Sequence, residues 1–350
     1  MLKKNIALTI LLVLSTKILF GQVTGKGTYQ FLNLPTSARA TALGGKLGAI
    51  DESDISTVFQ NPALLDSSMH NNLTLSFIDY YSGVKYGSFT YARYVDKIGT
   101  FAAGIQSVDY GSFTRSDEAG TIQGSFTASD MAFNMVYSRT FDTCFHVGIT
   151  LKTIYSHLEN YTSWGIAADI AATYRSPNRL FAAGIAFKNV GSMINSYTPD
   201  TREDLPFEII AGISKKLAHA PFRFVVTLQQ LQNFDLYYKS KISADESTLG
   251  ESDSNSQSKI SELEHEFISH VILGAEFVPV RNFYLRFGYN YQRRNELKIE
   301  ENTSTVGFSW GVGIKISKFN INYSRATMHL AGATSHFTVT ADLDSFFRKH

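Results

Sequence analysis

The chain has 350 residues, a formal charge of +1 and 18% charged side chains, set against 13% aromatics with 26 Phe, 18 Tyr and 25 Gly. That balance favours strands and turns over a helical protein rich in Leu, Ala, Glu and Lys, and length alone leaves one large domain or two ordinary ones open. A pI of about 7.8 gives no polyanion-binding signature, so no nucleic-acid partner is expected.

The first residues read as an export signal over 1–21. Lys3 and Lys4 precede the apolar run Ile6 to Leu14, and Ile18-Leu19-Phe20-Gly21 stands before Gln22, which predicts cleavage near Gly21 and an exported mature chain. The run of about nine apolar residues falls short of the roughly 20 that span a bilayer as a helix. Cys144 is the single cysteine, so an intramolecular disulfide is excluded, and no cysteine near the cleavage point is placed to carry a lipid.

Residues 22–72 lack a period of two. In "DESDISTVFQNPALL", Ile55, Val58 and Phe59 fall at i, i+3 and i+4, Asp51 or Ser53 can cap the start, and Pro62 forces Asn61 out of the helical region. A helix of about two turns is predicted, and one that short must dock its apolar face on something. Glycines 44, 45 and 48 in "GGKLG" lack the G-x-x-x-x-G-K-[ST] spacing of a phosphate cradle and read as a tight turn.

From residue 73 the period is two. In "YLRFGYNYQ", Leu285, Phe287, Tyr289 and Tyr291 alternate with Arg286, Gly288, Asn290 and Gln292, and "FSWGVGIKIS" repeats the pattern with Phe308, Trp310, Val312, Ile314 and Ile316. About fourteen such segments are predicted, near 73–81, 84–94, 99–108, 127–139, 143–156, 161–175, 179–188, 206–217, 221–230, 266–278, 282–292, 305–316, 318–325 and 334–342. Their connections alternate. One set is tight ("YVDKIG", "RTFDT", "RSPNR", "KKLAHAP", "PVRN", "ISKF") and the other has long polar members at 109–126, 189–205, 231–265, 293–304 and 326–333.

An even number of strands, one wholly apolar face, and short turns opposite long loops predict an all-β protein: a transmembrane antiparallel barrel of about 14 strands over 73–350, with 22–72 as a periplasmic segment and small N-terminal plug. A secreted sandwich or solenoid has no reason to sort its connections by length. The facing predicts that Phe287→Arg, on the lipid side, blocks assembly, whereas Gly288→Arg, on the lumen side, is much better tolerated.

The stretch "LGGKLGAIDESDISTVFQNPALL" resembles the N-terminal signature of FadL-type outer-membrane barrels, through Gly44, Gly45, Asp54, Asn61, Pro62 and Ala63. Upstream, "YQFLNLPTSARATALGG" (Tyr29 to Gly45) is similar to the narrower PorV/PorQ subgroup of the type IX secretion system, and the chain length and the Tyr29-Gln30-Phe31-Leu32 lead-in lean to its PorQ branch. The resemblance implies a plug inside a fourteen-stranded barrel. It also implies membership of an outer-membrane attachment complex, with a PorZ-like surface protein tethered beside PorU- and PorV-like proteins where cargo is joined to lipopolysaccharide.

Candidate chemistry is sparse. "HEFISH" (His265 to His270) has Ser269 where a zincin helix needs its second His, so no metal and no cofactor are expected. Cys144 reads as a small apolar residue at a strand start, and His146, His157 and His329 are scattered without a nucleophile elbow, which argues against an enzyme. The acidic, Ser-rich loop containing Asp245, Glu246, Glu251 and Asp253 is the first place to seek partner binding, with 109–126 and 189–205 next. Two functions of different class stand: an attachment-complex anchor, or a FadL-like transporter for hydrophobic small molecules. The polar loops weakly disfavour the transporter, since Met193, Ile194 and Tyr197 form the only small apolar cluster before Pro206.

Overall fold

The computed structural model describes residues 27–198, 202–233, 266–296, 305–329 and 332–347. The export signal and the acidic positions Asp245, Glu246, Glu251 and Asp253 lie outside the described residues. Fourteen antiparallel strands close into one barrel in chain order. They are β1 (Asn72–Asp79), β2 (Lys85–Val95), β3 (Gly99–Ser116), β4 (Ile122–Phe141), β5 (Phe145–Leu158), β6 (Tyr161–Arg175) and β7 (Phe181–Asn195), then β8 (Glu208–Lys216), β9 (Phe222–Leu228), β10 (Val271–Val280), β11 (Phe283–Asn290), β12 (Phe308–Ile316), β13 (Phe319–His329) and β14 (Gly332–Asp342). The ring shuts where β1 pairs with β14, with Leu73 opposite Ala341 and Phe77 opposite Phe337. Closure leaves no unpaired edge within the bilayer, where an unsatisfied backbone group costs several kcal/mol.

The period-two pattern decides the facing. On β11, Phe287 is 59% exposed while its neighbour Arg286 is 2% exposed, because successive side chains point to opposite faces of the sheet. Leu75, Phe77, Phe133, Phe224 and Trp310 belong to the same outward apolar belt, and cross-strand aromatic pairs such as Tyr289–Phe308, 4.8 Å apart, tie it together.

The chain enters β1 and leaves β14 at the end that carries the tight turns. Lys97, Asp142, Arg179 and Ser317 take positive φ in four of these turns, the conformation a short hairpin demands. The opposite end is less uniform than expected. β5 and β6 are joined there by a connection as tight as any on the other side, and the stretch 109–126 is no loop, because β3 and β4 continue as a paired hairpin to Ser116 and Ile122. β7 likewise runs on to Asn195. Strand pairing above the belt satisfies backbone groups that a polar sequence leaves ambiguous between loop and ribbon.

The segment from Gly27 to Asn71 folds inside the barrel. Its principal α-helix is α1 (Ala38–Ala42), within "SARATALGG", where no helix was expected. The expected two-turn helix through Ile55, Val58 and Phe59 is replaced by two 3-10 turns, Ile55–Thr57 and Pro62–Leu64. The cap is Asp54, not Asp51 or Ser53: its side chain accepts from the Ser56 amide at 3.0 Å. Ile55, Val58 and Phe59 are buried against Ala92, Ala102 and Val136 of the wall, so the apolar spacing marks a packed face without requiring α geometry.

Candidate functional site: a plug pinned across the lumen

Ser37 caps α1 by accepting from the Ala40 amide, and the helix ends because Gly44 and Gly45, at φ +103° and +106°, donate back to the carbonyls of Thr41 and Ala40. Glycine serves twice at this turn. A Cβ on Gly288 of β11 would stand 2.5 Å from the Leu43 carbonyl carbon, and Gly44 itself abuts Ile272 of β10. Gly288→Arg is therefore not tolerated as the facing alone suggested. The position does point into the lumen, but the lumen there is occupied by plug backbone.

The same close approach recurs around the plug. A Cβ on Gly148 of β5 would lie 2.5 Å from the Ala63 amide nitrogen, and one on Gly104 of β3 would lie 2.7 Å from the Phe59 ring. Gly48 and Gly212 of β8 pack backbone to backbone. Wall glycines thus let the plug reach the sheet on opposite sides of the barrel.

Asn61 is fully buried, in an extended conformation that the following proline enforces. Its Nδ2 donates to the Gly48 carbonyl at 2.6 Å and to Thr173 Oγ1 of β6 at 3.2 Å, while its Oδ1 accepts from the Ala63 amide at 2.9 Å. Pro62 opens the 3-10 turn Pro62–Leu64, at a position where a missing N–H costs nothing. Asn61, Pro62 and Ala63 therefore join the first glycine turn, the second 3-10 turn and the wall. Just beyond, Arg175 of β6 donates to Asp66 Oδ2 at 2.6 Å and to the Leu64 carbonyl at 2.7 Å.

The strongest attachment is ionic. Arg39 on α1, 1% exposed, donates through Nε to Glu276 Oε1 of β10 at 3.0 Å, and it pairs with Glu52 at 2.6 Å and Asp54 at 3.3 Å. Glu276 also receives Arg286 of β11 at 2.7 Å, and Arg223 of β9 bridges Glu276 and Glu52. Three arginines face three carboxylates, so the cluster is neutral, and plug and wall each supply part of it. Burial raises the Glu52 carboxyl, but Arg39 and then Arg223 outweigh it and hold the group below the ordinary carboxylate range. A second buried pair, Lys46 to Glu208, fastens the plug to the adjoining strand β8.

Towards the loop end the lumen turns apolar. Tyr29, Phe31 and Leu32 pack against Ile78, Tyr86, Val108, Ile154 and Met193 of the wall, and the Tyr29 hydroxyl meets Ser163. Met193, Ile194 and Tyr197 do not cluster. On the extended β7, Met193 points into this packing, Ile194 is 60% exposed outwards, and the Tyr197 hydroxyl contacts Ser156.

The structure brings Gly44, Gly45, Asp54, Asn61, Pro62 and Ala63 into one plug. Arg39, Glu52, Glu276, Arg223 and Arg286 were not expected as a cluster. Arginine or glutamate at the lumen phase of an apolar strand was the available signal, and Arg286 already stood at that phase in "YLRFGYNYQ". Among the described residues no group of His, Cys, Asp and Glu is placed to hold a metal. His270 is buried with Nδ1 2.8 Å from the Gln229 carbonyl, and His146 and His157 sit at opposite ends of β5.

No protein-family model matches the chain, and no curated protein sequence is similar to it. Solved structures are similar in fold. The Pseudomonas putida toluene transporter TodX matches with a TM-score of 0.50 at 13% identity, over 87% of this chain and 96% of TodX. The chain is a transmembrane β-barrel of fourteen antiparallel strands. The deltaS2S3 mutant of TodX, a monoaromatic hydrocarbon channel, gives a TM-score of 0.51 at 13% identity over 87% and 97% of the two chains. The deltaS2 mutant gives 0.51 at 12% identity over 88% and 97%. At such identities the likeness speaks to the fold alone.

Proposed function

We propose that this barrel is a non-enzymatic anchor of the type IX secretion attachment complex, with a PorQ-like role: it holds a PorZ-like surface protein near PorU- and PorV-like partners, among outer-membrane lipids and lipopolysaccharide. The observation that carries this reading is the plug. The residues of "YQFLNLPTSARATALGG" that resemble the PorV/PorQ subgroup are those that fill the lumen, from Phe31 and Leu32 in the apolar packing to Arg39 in the ionic cluster. A lumen filled by its own chain suits a scaffold that presents its outer rim rather than a conduit. The test is affinity purification of the full chain from detergent-solubilised outer membrane, with mass spectrometry of proteins and extracted lipids. A stoichiometric large surface protein is expected, and a protein-free preparation carrying one bound hydrophobic molecule would overturn the reading.

A second reading is favoured by the fold comparison. The solved barrels of similar fold are a toluene transporter and monoaromatic hydrocarbon channels, which supports a transporter for hydrophobic small molecules more directly than it supports the secretion role. Here Tyr29, Phe31 and Leu32 would have to leave the apolar packing to admit a ligand. Uptake of toluene into proteoliposomes above that of plug-locked barrels is the result that would establish it.

A further inference from the structure

The two rims of the barrel carry opposite charge. Each of the six tight turns holds a cation, either in the turn or in the strand residues that enter it: Lys97, Arg139, Arg179, Lys216, Arg281 and Lys318. Asp96 and Asp142 are the acids of these turns. At the other end, in the described connections after β3, β5 and β7, Asp117, Glu118, Glu159, Glu203 and Asp204 stand against Arg202.

The cations of β2, the β2–β3 turn and β4 gather outside the wall. Arg93 keeps the outward phase of Phe89 and Tyr91 and is paired in register with Phe101 of β3, which is paired in turn with Tyr137 of β4. The Phe101 and Tyr137 rings lie 5.0 Å apart and form the turn-side margin of the apolar belt. Arg139 follows Tyr137 on the same face, roughly 7 Å nearer the turn end at about 3.3 Å per residue, with its guanidinium 5.8 Å from the Phe141 ring. The Tyr137 hydroxyl donates to the Ile98 carbonyl at 2.8 Å, which fixes the turn carrying Lys97 against the aromatic pair. Arg93, Lys97 and Arg139 are all exposed, and among the described residues no carboxylate forms an ion pair with them. The lumen arginines differ: Arg39 and Arg286 are each matched to a carboxylate.

Aromatic rings at the edge of an apolar belt mark the depth at which hydrocarbon ends. Cations just beyond them stand at the level of the headgroup phosphates, and long side chains of this kind reach from apolar surface into a charged layer. β2 and β4 are two strand spacings apart, about 10 Å, close enough for two arginines to approach one phosphate from both sides.

We propose that Arg93, Lys97 and Arg139 form a binding site for the phosphate of an anionic phospholipid in the leaflet at the turn end, with its acyl chains along the outward face at Phe101 and Tyr137. Free phosphate has no use for the apolar half of this site, whereas a phosphodiester that carries acyl chains fills both halves. The inference rests on the fold and is independent of the choice between anchor and transporter.

The test places the full-length barrel in detergent containing equal amounts of phosphatidylglycerol and phosphatidylcholine and counts the retained lipids by native mass spectrometry. Three chains are compared: wild type, the turn-end variant Arg93→Gln with Lys97→Gln and Arg139→Gln, and a loop-end control that removes the same charge, Lys85→Gln with Arg202→Gln and Arg325→Gln. Heat-modifiable electrophoretic migration verifies that each barrel is assembled. Wild type and the control are expected to prefer phosphatidylglycerol, less so as salt rises. The turn-end variant is expected to hold its tightest phosphatidylglycerol at least about tenfold more weakly, because each cation near an anionic surface contributes about fivefold. A turn-end variant with the wild-type preference overturns the site, as does a control that loses as much, which would reduce the effect to net charge. Equal retention of both lipids by wild type also overturns it, including the case in which an acidic protein co-purifies through these cations instead.

Discussion

Removing Arg39 is expected to unseat the plug. Arg39→Met keeps most of the side-chain volume and deletes one charge, which leaves Arg223 and Arg286 facing Glu276, Glu52 and Asp54. Asp54, 5% exposed, then loses the ion pair that Arg39 supplies. Breaking a buried pair by deleting one partner costs about 3–5 kcal/mol, and each 1.4 kcal/mol is tenfold, so the ratio of undocked to docked plug rises by about 10²- to 10³-fold or more. The readouts are single-channel conductance in planar bilayers and tryptic cleavage within residues 44–65. Deleting residues 44–65 outright sets the upper limit for both. The paired variant Arg39→Met with Glu276→Met restores charge balance and is expected to cost less than the sum of the single changes, which tests that the effect is ionic. Refutation would be an Arg39→Met barrel that conducts and resists trypsin like wild type, because the cluster would then contribute nothing to docking.

Three further outcomes are expected. Phe287→Arg places a charge in the lipid belt at a cost of about 2–4 kcal/mol near the midplane, and Gly288→Ala drives a methyl into the Leu43–Gly44 backbone; both lower the yield of heat-modifiable barrel, and only Gly288→Ala is rescued by deleting residues 38–65, which removes both Leu43 and Gly44. Asn61→Ala leaves the Gly48 carbonyl and the Ala63 amide without the bonds that Asn61 supplies, a loss of about 1–3 kcal/mol read as faster proteolysis of the plug. Burial raises the Asp66 carboxyl, but Arg175 with Ser68 and Ser53 outweighs it and holds it below the ordinary range. Its stabilisation is thus complete above the unfolded carboxylate value and is lost as pH falls through the depressed native one. Plug protection should fall at acid pH in wild type, and Asp66→Asn should be weakened already at neutral pH with a flatter acid profile.

The sequence by itself determined the barrel. Period-two alternation such as Leu285-Phe287-Tyr289 fixes which face meets lipid, because a one-residue slip would turn every apolar side chain inward. Fourteen alternating segments then leave closure as the way to pair every edge. It also marked Gly44, Gly45, Asn61 and Pro62, whose backbone demands are local. Only the tertiary structure decided what the plug touches: Arg39 meets Glu276 across a sequence separation of 237 residues, and no local signal pairs an arginine on one short helix with one carboxylate among many. The same holds for Gly288, whose freedom in the lumen is cancelled by Leu43 and Gly44, and for the stretch 109–126, where polar composition reads as loop until strand pairing and the bulge at Gly111 lift it into a ribbon. Periodicity is written along one strand, whereas contacts between distant segments depend on how closure brings them into the same small lumen.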